Sequence, residues 1–169
     1  MSSGVDVEWK GTDMTFASPE DKFGIKLQSR PRRTLEQNYS MIAGSAYFVG
    51  GIIGFFVTGW SYPTEMIPSR ALFGIFMLNP YHNIVHIAVG LLWFLGAFAL
   101  TPAGNEGLNI AIGGVYLLAT VIGFLGYLPL LAITPTDPDN YLHLVTALAT
   151  LIFGSGLLSA MSGRRAATT

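Results

Sequence analysis

The chain contains no cysteine. That excludes disulfides, thiolate metal sites, iron–sulfur clusters and palmitoylation. Charge is the second shortage: Asp, Glu, Lys and Arg make up 11% of the 169 residues, less than half the share of a soluble domain. A formal net charge of −1 leaves no basic stripe to displace counterions, which argues against nucleic acid as a partner. Catalytic signatures are missing too: no His-Glu-x-x-His, Walker loop or dinucleotide fingerprint occurs. The first residues are polar and acidic rather than basic-then-apolar. No cleavable signal peptide is expected, so the first membrane helix would serve as its own insertion signal.

What is abundant is apolar sequence, 51% of the chain, gathered into runs without charge. No Asp, Glu, Lys or Arg lies between Glu36 and Glu65, Arg70 and Glu106, Glu106 and Asp137, or Asp139 and Arg164. Each gap can hold the ~20 residues that cross a ~30 Å hydrocarbon layer as a helix. The chain therefore reads as an integral membrane protein with the lipid bilayer as its solvent. Helices are expected because lipid cannot satisfy backbone polar groups, and the alternation a barrel needs is missing. The spans fall at about 39–60, 80–100, 108–131 and 141–161, with a short turn over 101–107 between the second and third.

The expected fold class is all-α: an integral membrane four-helix bundle over residues 38–162. A mostly irregular N-terminal extension (1–37) precedes it and a short tail (163–169) follows. Arg30, Arg32 and Arg33 precede the first span and Arg164 and Arg165 follow the last, which puts both termini in the cytoplasm by the positive-inside rule. The opposite loops carry Glu65, Asp137 and Asp139 with a single positive charge, Arg70. The segment 70–78 is too short to cross and is expected at the interface or over the bundle mouth. Trp60, Tyr62, Tyr81, Tyr127 and Tyr141 fall at the same boundary as an aromatic belt. In the extension, Val5, Val7 and Trp9 alternate with Asp6 and Glu8 as one short strand would. Trp9, Phe16 and Phe23 give the extension more apolar anchors than a solvated linker needs, and a partner subunit is the natural recipient.

An internal repeat organises the spans. Asn83-x-x-His86 returns as Asn140-x-x-His143, an offset of 57 (143 − 86). Tyr47, Ile53, Gly54 and Phe55 return as Tyr116, Ile122, Gly123 and Phe124, an offset of 69 (116 − 47). The longer first loop absorbs the difference, giving two helical hairpins as parallel repeats. Pro80 and Pro138 suit first helical turns, with Asn79 and Asp137 as caps. Each Asn then shares a helix face with its His. Gly50-x-x-x-Gly54, Gly123, Gly126 and Gly154 permit close helix approach within the bundle.

The runs Leu72-Phe73-Gly74-Ile75-Phe76, His82-Asn83-Ile84-Val85-His86 and Gly90, and Asp139-Asn140-Tyr141-Leu142-His143-Leu144 resemble a family of small bacterial four-span membrane proteins, domain of unknown function 4383. The resemblance covers roughly 39–161. It implies a four-span fold in a bacterial inner membrane, and it implies no activity.

Two chemical readings of the histidines stand side by side. In one, Asn83, His86, Asn140 and His143 form a hydrogen-bonded network that fixes the register of the hairpins. In the other, His86 and His143 ligate a haem iron, a chlorophyll-type pigment or a transition metal. His82 is then a candidate additional ligand, although its place at the helix start suggests a solvated interfacial residue. Ser45 and Ser155 have no visible base, and no carboxylate is expected inside a span, which removes the usual machinery of a pump. The expected function is a non-catalytic accessory subunit of a larger bacterial membrane complex, of photosynthetic or respiratory type, with no cofactor of its own. The alternative is a haem-, pigment- or metal-binding membrane protein; a small-solute transporter is the least supported.

Overall fold

A computed structural model describes residues 33–60 and 69–161. Anchors Trp9, Phe16 and Phe23, the expected strand at 5–9, Tyr62, and Arg164 and Arg165 lie outside the described residues. The described chain is mostly helical: α1 (Leu35–Thr58), a hairpin of β1 (Arg70–Leu72) and β2 (Phe76–Leu78), α2 (Pro80–Ala99), α3 (Pro102–Phe124), a 3-10 turn (Pro129–Leu131), α4 (Pro138–Gly154) and the short α5 (Leu157–Met161). Helices α1, α2 and α3 are long and apolar enough to cross a membrane. At 17 residues, α4 falls short of the ~20 that a crossing takes.

Caps set the starts. Thr34 accepts from the Gln37 amide while the Gln37 side chain accepts from the Thr34 amide, a reciprocal box that starts α1 before the expected boundary. Asn79 and Asp137 cap α2 and α4, each followed by proline in the first turn, as expected. Thr101 caps α3 by accepting from the Gly104 amide, with Pro102 at the first position. The stretch 102–107 is therefore helix rather than the expected turn. At the other end α3 stops at Phe124, since Gly126 (φ 81°) takes a left-handed conformation that a continuing helix does not allow. The last expected span, 141–161, is broken in the same way: Gly156 (φ 66°) separates α4 from α5.

The segment 70–78 is a β-hairpin in register Arg70↔Leu78 and Leu72↔Phe76. Phe73 (φ 54°) and Gly74 (φ 74°) both sit at positive φ, the backbone of a type I′ turn. Each residue of a pair can thus satisfy backbone groups against its opposite at the bundle end.

Packing follows the repeat. Helix α1 packs chiefly on α2 and α3 chiefly on α4, so the molecule is two helical hairpins with a sparser seam between them. Within each hairpin a glycine admits an asparagine: a Cβ at Gly54 would overlap Asn83 Oδ1, and a Cβ at Gly123 would overlap Asn140 Oδ1. Gly90 and Gly154 do the same for backbone, where an added Cβ would lie 2.7 Å from the Phe48 and Ile110 amide nitrogens respectively. Gly50 has nothing within 4 Å of such a Cβ, so the close approach on α1 runs through Gly51 and Gly54 instead of the Gly50–Gly54 pair.

The interior is polar for its size. Among the described residues, the buried set holds 8 hydrophobic and 17 polar or charged residues, while Phe56 (78% exposed), Val115 (63%) and Val145 (64%) face outward. That inverted distribution is what lipid as solvent selects. Trp60, Tyr127 and Tyr141 are exposed near the helix ends, as a belt requires.

Gly54→Ala and Gly123→Ala should each destabilise the protein by about 1–3 kcal/mol through overpacking against Asn83 and Asn140. Gly50→Ala should be close to neutral. Unfolding titrations in mixed micelles check the contrast, which is lost if all three behave alike.

Candidate metal centre

Three histidines meet at the end of the bundle where α2 and α4 begin. His82 and His86 are one turn apart on α2 and therefore share a face. His143 comes from α4, across the seam between the hairpins. One ring nitrogen from each lies within 4.8 Å of those of the other two. The His82 and His86 ring centroids are 4.4 Å apart, and those of His82 and His143 are 5.9 Å apart. All three side chains are buried. Both ring nitrogens of His82, Nε2 of His86 and Nδ1 of His143 are buried without a hydrogen-bond partner. Backbone groups of Met77 and Leu131 approach the His82 ring without closing a bond of good geometry. Such orphaned nitrogens in an apolar interior are costly unless something accepts their lone pairs or protons.

His82 is the correction to the sequence reading. At the third position of α2 it was expected in water, yet only 1% of it is exposed. The connection after α3 roofs it: Asn79 Nδ2 donates to the Leu130 carbonyl at 2.8 Å, and Leu131 lines the same cavity as His82. The spacing His82-x-x-x-His86 carried the signal, because i,i+4 histidines share a face whatever lies above them.

The asparagines do not join the histidines. Asn83 Nδ2 donates to Thr58 Oγ1 at 2.8 Å, and Asn140 Nδ2 donates to the Thr134 carbonyl at 2.8 Å. Each therefore anchors its own hairpin, and no hydrogen bond links either to His86 or His143 among the described residues. Ser45 and Ser155 donate to carbonyls of their own turns, Met41 and Ile152.

Below the triad the seam is closed by tyrosines. Tyr47 lies edge-on to His86 at 4.9 Å and Tyr116 edge-on to His143 at 5.2 Å, with the two phenol rings 5.4 Å apart. The Tyr47 hydroxyl pairs with Thr146 Oγ1 at 2.7 Å, and that of Tyr39 with Thr150 Oγ1 at 2.6 Å. Farther along, the Trp93 indole donates to Asn109 Oδ1 at 3.1 Å, and Ser40 Oγ lies 2.8 Å from Asn105 Oδ1 and 3.1 Å from Asn109 Oδ1. Glu36, one turn before Ser40, is buried with both carboxylate oxygens unpartnered. The expectation that no carboxylate enters the helices is thus corrected: capping by Thr34 draws Glu36 into α1, and capping by Asp137 draws buried Asp139 into α4. Residues equivalent at the offset of 69, Ser40 with Asn109 and Tyr47 with Tyr116, touch each other across the seam, and a ring nitrogen of His86 lies within 4.8 Å of one of His143, its equivalent at 57. A two-fold relation between hairpins brings equivalent residues together in this way.

The sequence model of one family, described as a domain of unknown function, matches residues 37–156. The chain belongs to the DUF4383 family. The match takes in both hairpins and all three histidines of this DUF4383 domain. No curated protein and no solved structure matches the chain.

Asn109→Leu should leave the Trp93 indole and the Ser40 hydroxyl without their shared acceptor and cost about 1–3 kcal/mol. Unfolding in mixed micelles measures the loss, and Trp93 emission in a background lacking the other two tryptophans should shift. A variant with unchanged stability and emission would remove this layer from the account of seam closure.

Proposed function

We propose that this protein is a four-span membrane protein whose two hairpins jointly hold one transition-metal ion through His82, His86 and His143. The observation that carries the reading is the convergence within 4.8 Å of one ring nitrogen from each of three buried histidines, each of which has a buried nitrogen without a hydrogen-bond partner. Metal–nitrogen bonds of about 2.0–2.1 Å put tetrahedral ligand atoms roughly 3.4 Å apart, so modest side-chain rotation closes the set. Imidazole donors suit copper, zinc, iron or nickel. Charge narrows the choice. Three neutral rings bring no countercharge, and the one buried carboxylate on the same face of α4, Asp139, is a turn before His143 with Oδ2 unpartnered. With so little countercharge in the site, a monovalent ion, which costs far less to desolvate than a divalent one, is favoured, and that points to Cu(I).

The cavity beside the triad, about 60 Å³, favours a bare ion over a haem or chlorophyll-type pigment. Even small-molecule pockets run to about 300–1,000 Å³. For the fourth crossing, α4 and α5 together supply the charge-free run that ends before Arg164. Arginines flanking the first and last spans support cytoplasmic termini in a bacterial inner membrane. The accessory-subunit reading rests on Trp9, Phe16 and Phe23, outside the described residues, on the lack of catalytic signatures and on membership of a family without assigned activity, and no observation favours it over metal binding.

Detergent-purified protein titrated with Cu(I) and with Zn(II) under competing chelator should bind one equivalent, Cu(I) the tighter. A metal at 100 times its Kd should add about 2.7 kcal/mol of stability. Replacing any one of His82, His86 or His143 with Gln should lower affinity by about 100-fold or more, given that even supporting residues around a metal cost 10–100-fold. Gln retains hydrogen bonding but ligates poorly, so full binding by all three variants would overturn the reading.

A further inference from the structure

The triad has an open side, and the chemistry of that side restricts what can reach the metal. The cavity of about 60 Å³ is lined by the three histidines and Tyr116 together with Val85, Val89, Val115, Ala119 and Leu131. Val85 and Val89 belong to α2, and Val115 and Ala119 to α3, so the cavity lies in the sparse seam between the hairpins. Val115 is 63% exposed and Val85 39% exposed. Both stand on the flanks of helices long and apolar enough to cross a membrane, so the mouth of the cavity faces hydrocarbon. The opposite approach is roofed, since His82 beneath β2 and the 3-10 turn is 1% exposed.

A space of this size exceeds the 10–15 Å³ that one water occupies by the same measure and lies far below the range of organic ligands. Its aliphatic wall offers no hydrogen bond to a charged or strongly polar molecule. Small neutral diatomics meet both limits, and they partition into hydrocarbon more readily than into water.

We infer that the seam cavity is a binding site for a neutral diatomic molecule of the dioxygen, nitric oxide and carbon monoxide class, which enters from the membrane between Val85 and Val115 and occupies the fourth coordination position of the histidine-held metal. The inference rests on the metal reading above and deepens it. The protein supplies three ligands and a dry apolar wall; the membrane supplies the fourth ligand. No bond within the diatomic is broken in binding.

Carbon monoxide on the Cu(I)-loaded, full-length protein in lipid nanodiscs is the test, read by infrared absorption and by metal analysis of the same sample. One C–O stretching band, saturating at one carbon monoxide per copper, is expected. Val115→Phe and the milder Ala119→Leu narrow the seam without touching a histidine. Both should retain copper and weaken carbon monoxide binding by about tenfold or more, roughly 1.4 kcal/mol. Copper bound with no such band overturns the inference and leaves the metal site standing. A band unchanged in both seam variants overturns the lateral route. Failure to bind copper at all overturns the metal reading, and the inference falls with it.

Discussion

Everything in this structure depends on where polar side chains can go when the solvent is hydrocarbon. Lipid offers no hydrogen bond, so a polar group on the outside of a helix stays unsatisfied, while one turned inward can find a partner. The apolar faces therefore carry Phe56, Val115 and Val145, and the seam carries Ser40, Tyr47, Asn109, Tyr116 and the histidines. No apolar driving force separates a helix face from lipid. The hairpins cohere instead through glycine-admitted close packing and through layers of hydrogen bonds such as Tyr47 with Thr146 and Trp93 with Asn109.

The duplication turns this constraint into a site. Asn83 and Asn140 occupy equivalent positions, each over a glycine of its own hairpin, and they behave alike. His86 and His143 are also equivalent, and the two-fold relation brings a ring nitrogen of each within 4.8 Å of the other. Symmetry then fails one turn earlier. The residue equivalent to His82 at the offset of 57 is Asp139, so one hairpin offers a third imidazole and the other a carboxylate. The departure from symmetry gives this chain three clustered imidazoles with one acidic neighbour.

The sequence made the helical membrane character readable because charge-free runs of sufficient length have no other home, and the caps at Asn79 and Asp137 were readable because proline follows each. The repeat named His86 and His143. Other features resisted. The β-hairpin at 70–78 was hidden since three-residue strands carry too little alternation to register. The α1 and α3 starts moved because a side-chain cap, from Thr34 or Thr101, outranks hydropathy in deciding where a helix begins. Glu36 was placed in water for the same reason. The asparagines were grouped with the histidines by helix face, yet glycine contacts turned them toward the neighbouring helix within each hairpin.

By itself the amino-acid order determined the solvent, the helical class, the two-hairpin plan and the equivalence of residues 86 and 143, because each follows from composition or spacing along one chain. Only the tertiary structure decided that His82 is sealed from water by the turn at 129–131 and β2. It alone placed Tyr47 against Tyr116 and Ser40 against Asn109, and it alone left an apolar gap beside three imidazoles. Those outcomes depend on how two hairpins meet across a seam, and helix periodicity is silent about what stands opposite.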